Sequence, residues 1–323
     1  MKKILVVFTG GTIGSSIYNG VINTDENTSF LLLAQFKQRY PNADVTFSTL
    51  QPYQILSENL SPKVWTTLIS AIENATPENY DGIIVTHGTD TLAYTSAALA
   101  FYFNALNVPI FLVSSYLPLS DENTNGLDNF SFAIEKITTG YLTGVFVPYR
   151  NPSEKSVALH SATRLTCSPQ LSSNFFSMEN VALVPRIVSS AALKPQFSER
   201  ILLIKPYPAL NYDYFDLMNV DAVLHDLYHS GTACTTLEWG ENHSLLAFIK
   251  RCQMQKVEIY LAPISNSNDT YQSTLELVNS GVTILWNITI EAAYVKLSLA
   301  YGNFTDKTAI ISFMQQNLAR EHI

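Results

Sequence analysis

Charge is scarce in this chain. Asp, Glu, Lys and Arg make up 14% of its 323 residues, against about 25% in ordinary globular proteins. The basic sign is the scarcer one, and the formal net charge is -8. Nucleic acids and anionic membranes are bound by clustered Lys and Arg, so neither partner is expected. Cysteine is scarce too. Cys167, Cys234 and Cys252 lie far apart with no CxxC among them, which excludes a disulfide framework and leaves no zinc spacing, so no metal is expected. Phosphate-binding loops are missing: neither GxGxxG nor GxxxxGK[ST] occurs, which argues against a nucleotide-binding module. There is no internal repeat and no low-complexity segment. The start, Met1-Lys2-Lys3, runs into a strand-like segment without a signal-peptide pattern, so a cytoplasmic location is expected.

Thr91 to Ser120 contains no charged residue. Asn104, Asn107 and Pro109 interrupt it, and a membrane span needs about 20 mostly apolar residues. A buried helix followed by the strand Pro109–Val113 is the expected structure, not a membrane segment.

Hydrophobic residues supply 47% of the chain, enough for a sizeable core. The first half alternates apolar runs and helical patterns. Strands are expected near 3–8, 43–49, 81–86, 109–114 and 144–149, and helices near 28–39, 61–75, 90–104 and 126–138. Ser61-Pro62 is a helix start, a hydroxyl cap before a proline at the first helical position. Asp90 stands where an N-cap would stand. A second alternation begins at Ile201, with strands near 201–204, 221–225, 256–261 and 281–285. Its helices are expected near 236–251, 271–279, 288–300 and 305–318. Such alternation builds βαβ units. The fold class is therefore α/β: a large N-terminal domain with a mainly parallel sheet (1–185), a linker lacking periodicity (186–200) and a smaller C-terminal α/β domain (201–323).

Two short segments carry chemistry. Thr9-Gly10-Gly11-Thr12-Ile13-Gly14 follows the apolar run Ile4–Phe8, and His87-Gly88-Thr89-Asp90-Thr91 follows Gly82–Val85. The carboxyl ends of strands in an open α/β sheet form its ligand crevice, so both segments are expected at one pocket. They bring hydroxyls (Thr12, Thr89, Thr91), a carboxylate (Asp90), and glycines that let backbone N–H groups approach a ligand. That set suits hydroxyl-nucleophile chemistry on a small polar substrate. The plainer reading is a glycine turn and a helix cap, with His87 a packed core histidine. His225 and His229 are spaced i,i+4, but Asp226 stands where a metalloprotease has Glu.

With both motifs in view, the chain resembles the asparaginase/glutaminase family, in particular its bacterial cytoplasmic L-asparaginases. TGGTI at Thr9–Ile13 and HGTDT at His87–Thr91 carry the resemblance. Ser57-Glu58-Asn59-Leu60-Ser61-Pro62 with Trp65, Asn125-Gly126 with Asn129, and Ile288–Ala292 with Lys296-Leu297 extend it over nearly the full length. The resemblance implies L-asparagine as substrate and Thr12 as nucleophile, forming an acyl ester and releasing ammonia. It implies Thr89 and Asp90 as a supporting pair. Ser57 and Glu58 would hold the α-carboxylate and α-ammonium, and N–H groups near Gly11, Gly88 and Ser114-Ser115 would make the oxyanion hole. No cofactor is implied. A homodimer or homotetramer is, with Glu291 closing a neighbour's pocket.

The chain departs from the family in several places. Arg164 falls where the family has a lysine beside Thr89 and Asp90, and arginine does not deprotonate. Lys155 is the nearest other lysine. Val21, with Tyr18 nearby, falls at the lid tyrosine; Ser114-Ser115-Tyr116 and Gly231-Thr232 replace other pocket residues. These departures keep two alternatives open: a catalytically weak homologue serving as an amino-acid-binding sensor, and a related amidohydrolase acting on glutamine or another amide.

Overall fold

The computed structural model describes residues 1–18, 21–24, 26–140, 142–178, 192–265 and 269–322. It divides into two compact units. The first comprises Met1–Pro195 and Leu318–Arg320; the second comprises Gln196–Asn317 and Glu321–Ile323. Residues 186–191 of the expected linker lie outside the described residues.

In the first unit β1 (Lys2–Val7) leads through the hairpin β2 (Ser15–Tyr18) and β3 (Val21–Thr24) to α1 (Glu26–Arg39). Then come β4 (Val45–Leu50), α2 (Pro62–Asn74), β5 (Gly82–Thr86), α3 (Leu92–Tyr102) and β6 (Ile110–Val113). The unit continues with α4 (Gly126–Thr139), β7 (Val145–Tyr149) and β8 (Ala158–Ser161). The main sheet runs β4-β1-β5-β6-β7-β8. All its pairs are parallel except β7 with β8.

The core explains the sequence pattern. Ile4, Val6 and Phe8 join Phe36 of α1 and Phe130 and Ile134 of α4 in one cluster. Leu5 and Val7 are buried as deeply and point to the opposite face by the two-residue period of a strand. Every residue of β5 is buried, as expected of a central strand covered on both faces. Helix α3 is buried almost throughout, largely through alanines, and among the described residues no helix is long and apolar enough to cross a membrane.

The second unit holds β9 (Ile201–Ile204), β10 (Ala222–His225), α5 (Leu245–Met254), β11 (Glu258–Ile264) and α6 (Gln272–Asn279). It ends with β12 (Thr283–Trp286), α7 (Ile290–Asn303) and α8 (Lys307–Gln315). Its four-stranded parallel sheet follows chain order, β12-β11-β10-β9. Residues 236–244 are not the helix the sequence suggested. Gly240 takes a φ of 110°, a short 3-10 turn covers Glu241–His243, and α5 begins only after Ser244. The hairpin and β8 had no counterpart among the expected strands.

Candidate functional site

The chain order of the first sheet fixes where a ligand crevice forms. After β1 the chain pairs β4 on one side, then crosses to β5 on the other. The strand order therefore reverses between β1 and β5, and crevices open outside the carboxyl ends of strands at such a point. Thr9–Gly14 leaves β1 there, and His87–Thr91 leaves β5. The second sheet has no reversal.

Backbone contacts join the two segments. Gly11 has a φ of 75°, and a Cβ built on it would lie 2.2 Å from the Gly88 nitrogen. A Cβ on Gly88 would lie 2.4 Å from Ser57 Oγ. Only glycine admits such an approach. The Gly11 N–H donates to the Ile55 carbonyl at 3.1 Å, and the Ile55 N–H to that of Thr9 at 3.0 Å, so the loop ahead of Ser57 runs beside the Thr9–Gly14 loop. Thr9 is tied to β5, its N–H donating to Thr86 Oγ1 at 3.2 Å. Ser15 Oγ donates to the Gly11 carbonyl at 2.7 Å and closes the turn carrying Thr12.

Ser57 is buried and faces Asp90. The Asp90 N–H donates to Ser57 Oγ at 3.3 Å, and that hydroxyl donates to Asp90 Oδ2 at 3.5 Å. Thr91 Oγ1 donates to the Ser57 carbonyl at 3.0 Å. Asp90 is thus not a helix cap: Thr91 holds the cap position of α3, without a side-chain capping bond. Ser61 does hold the cap position of α2, with Pro62 after it, but its hydroxyl makes no capping bond. The hydroxyls of Thr12 and Thr89, both half-buried, make no hydrogen bond among the described residues, so both are available to a ligand.

The third wall comes from β6 and α4. A Cβ on Gly126 would meet Ser115 Cβ at 3.1 Å and Ile13 Cγ1 at 3.4 Å. Asn129 Nδ2 donates to the Ser114 carbonyl at 2.9 Å, and Asn125 Oδ1 accepts from the Tyr116 N–H at 3.1 Å. Ser115 spends its hydroxyl on the Leu117 carbonyl at 2.8 Å, which leaves its backbone to serve a ligand. Ser114 Oγ is fully buried without a partner among the described residues, a feature the sequence did not signal. Together the first unit gathers Gly11, Thr12, Ser57, Glu58, Gly88, Thr89, Asp90 and Ser115 at one end of its sheet. Glu58 sits in the turn Ser57–Asn59 and is exposed.

Arg164, which falls where the family has a lysine, is tied to the returning segment near the end of the first unit. Its Nε donates to the Arg320 carbonyl at 2.7 Å, beside Thr163 Oγ1 donating to that of Ala319 at 2.9 Å. The returning segment Leu318–Arg320 holds the guanidinium, and the side-chain partner of Asp90 is Ser57. Lys155 is excluded by position. It is exposed and lines a hollow with Met1, Lys2 and Val45, where β1 and β4 begin, at the far end of the strands from the motifs. Val21 is 63% exposed at the start of β3. Glu291, Gly231 and Thr232 belong to the second unit, where Glu291 is buried in the first turn of α7, behind the Thr289 cap.

His87 is a core histidine. Its Nδ1 donates to the Gly88 carbonyl at 2.7 Å, and burial pushes its pKa down to about 4. His225 Nε2 accepts from Tyr212 Oη at 2.9 Å while Nδ1 bonds the Asp226 carbonyl, so both ring nitrogens are occupied. Burial also lowers His160 to about 4. His87 and His160 are therefore neutral when folded and take up protons on unfolding between about pH 4 and 6.5. The unfolded chain binds more protons in that window, so stability is full above it and falls as pH drops through it, by up to about 1.4 kcal/mol per pH unit for each histidine. Urea midpoints should fall steadily from pH 7 to pH 4.5, and His160→Asn should flatten the slope by one proton's worth.

Gly11→Ala tests the floor directly. The added methyl meets backbone, not a flexible side chain, and adopts a left-handed φ. We expect a stability loss of about 1–3 kcal/mol with ligand binding at the site abolished. Unchanged binding would show that the motifs do not share a pocket.

Fold and site define a class first: an α/β protein with a glycine-floored crevice at the strand-order reversal of its sheet, bordered by the segments that carry Thr12, Thr89 and Asp90. Residues 3–196 match the family described as Asparaginase, N-terminal, and the chain belongs to this family of amidohydrolases and amidotransferases. A subunit of the glutamyl-tRNA(Gln) amidotransferase of Methanobrevibacter smithii is 27% identical over 348 residues, spanning 99% of this chain and 77% of that protein. The corresponding protein of Metallosphaera sedula is 25% identical, spanning 99% and 76%. Among solved structures, the thermostable L-asparaginase from Thermococcus kodakarensis superimposes with a TM-score of 0.81 at 25% identity, covering 99% of both chains. L-asparaginase I from Vibrio cholerae, at 22% identity and a TM-score of 0.76 over 100% of this chain and 99% of its own, shares the fold.

Proposed function

We propose that the chain hydrolyses the side-chain amide of L-asparagine to aspartate and ammonia through an acyl ester on Thr12. The observation that carries this reading is the contact of Gly88 with Gly11 on one side and with Ser57 on the other, which sets the Thr12 turn against the segment holding Thr89 and Asp90. Thr12 Oγ attacks the amide carbon, its proton passes to the leaving nitrogen, and ammonia departs. Water then cleaves the ester and restores the hydroxyl. Thr89 and Asp90 handle the proton, because the Arg164 guanidinium is engaged elsewhere and cannot accept one. Ser57 and Glu58 receive the amino-acid end of the substrate. Backbone N–H groups near Gly11, Gly88 and Ser115 meet the developing oxyanion, where one donor is worth about 3 kcal/mol. The reading needs no cofactor. It includes a cytoplasmic homodimer or homotetramer in which Glu291 of one copy completes the pocket of another.

A second reading is favoured by the amidotransferase proteins that align with 99% of the chain and by the exposed Glu58 carboxylate in the substrate turn. It takes glutamine or another amide as the ammonia source. Ammonia release from L-asparagine, L-glutamine and D-asparagine separates the two. The main reading expects the highest kcat/KM for L-asparagine. A preference for glutamine would establish the second, and no release from any of them by folded protein would remove the main reading and leave of the second only an amide outside these three.

A further inference from the structure

The second unit holds a cavity of about 340 Å³ that the amide chemistry does not use. It is walled by the loop after β9 and the segment between β10 and α5. Its lining includes Tyr207, Tyr212, Tyr228, Trp239, Cys234 and His243, with no Lys, Arg, Asp or Glu among the described residues. Four aromatic side chains therefore border a space the size of a small-molecule head group.

The walls are built before any ligand arrives. The Tyr212 ring stacks on Phe248 with centroids 4.6 Å apart, and its hydroxyl is held by His225 at 2.9 Å. His243 Nδ1 donates to the Leu210 carbonyl at 2.9 Å, tying one wall to the other. The Leu210 N–H closes a turn on Tyr207 at 3.1 Å, and Pro206 and Pro208 stiffen that turn. The Tyr228 N–H donates to Thr232 at 2.9 Å, and the Leu245 N–H to Cys234 at 2.8 Å. Trp239 and Tyr207 are 74% and 51% exposed at the rim. Scattered exposed apolar groups are ordinary, but a cluster of them around a hollow marks a binding surface.

A cavity bordered by four aromatic side chains, with no Lys or Arg in its lining, suits a positive charge, because a ring face is negative; the guanidinium behind the Tyr212 wall, Arg251, is paired with Asp213 at 3.2 Å. Neutral apolar ligands gain only burial there. The acidic balance of the chain, -8 overall, also favours a cation. We infer that this cavity binds a small organic cation with an alkylated ammonium head. The inference does not depend on the amide reading.

Isothermal titration of the full chain with choline, and with its uncharged carbon isostere 3,3-dimethylbutan-1-ol, tests it. Choline is expected to bind about tenfold more tightly than the isostere, since shape and apolar area are matched and only charge differs. Trp239→Ala and Tyr207→Ala should each weaken choline by about tenfold, while Trp239→Phe keeps part of the affinity. Both side chains are largely exposed, so the variants should fold, which circular dichroism checks. Equal binding of the isostere would overturn the charge preference and leave an apolar pocket. Absence of choline binding at millimolar concentration, or binding that neither alanine variant weakens, would overturn the site.

Discussion

Thr12→Ala is expected to lose amide turnover by at least about 10⁴-fold in kcat while unfolding within about 0.5 kcal/mol of the parent. The two expectations have separate causes. In the proposed reaction the hydroxyl is the group that bonds to the substrate carbon, and no neighbour duplicates its place in the turn Thr12–Gly14. Structurally, the side chain is half-buried and its hydroxyl bonds no other group among the described residues. Removing it orphans no partner and opens no cavity in the core, the two usual sources of large losses. The turn is held by Ser15 and by the Gly11–Gly88 contact, and neither involves the Thr12 side chain. Ammonia release and urea denaturation measure the two quantities. A variant that kept turnover would remove Thr12 as nucleophile; one that unfolded would show the hydroxyl to be structural.

Glu321→Ala is expected to cost about 3–5 kcal/mol in the second unit, a large part of a typical domain's stability of about 5–15 kcal/mol. Lys296 in α7 and Glu321 near the C-terminus are both fully buried, with Nζ 2.6 Å from Oε1. The ammonium also donates to the carbonyls of Met314 and Gln316. Burial pulls the Lys296 pKa down, and Glu321 opposes it. Without the carboxylate, α7 must bury an ammonium lacking its counter-charge or release it with the tail. A buried pair is not itself a strong stabiliser, because desolvation offsets most of the attraction. Lys296→Met combined with Glu321→Leu should therefore recover most of the loss. If Glu321→Ala cost under about 1 kcal/mol, the pair would be one that solvent readily replaces.

The sequence foretold the strands and helices of the first sheet because its runs are long and its periods clean. Ile4–Phe8 and Gly82–Val85 read as buried strands, and the segments after them meet at the strand-order reversal. Short pieces with weak pattern were not legible. The hairpin strands Ser15–Tyr18 and Val21–Thr24 and the edge strand Ala158–Ser161 are each only four residues long; the Asn-Gly pair between the first two is a hairpin signal in the sequence that the expected strands passed over. The region 236–251 was expected as one helix, but its apolar run begins only at Leu245. Gly240 and Ser244 place the start of the helix later. Asp90 is preceded by a strand and followed by a helix, so a cap was the local inference. Its true contact, Ser57, lies in a distant loop and follows only from tertiary structure. Arg164 gives the same lesson: its Nε bonds the Arg320 carbonyl, a contact 156 residues away that no local signal announces.

The most direct test of the acyl-threonine mechanism is to quench the enzyme in acid during turnover of L-asparagine and map its peptides by mass spectrometry. A substrate-derived acyl group on the peptide bearing Thr12, absent in Thr12→Ala, is the predicted result. Turnover with the acyl group on Thr89, or with no residue acylated under conditions that trap esters, would contradict it.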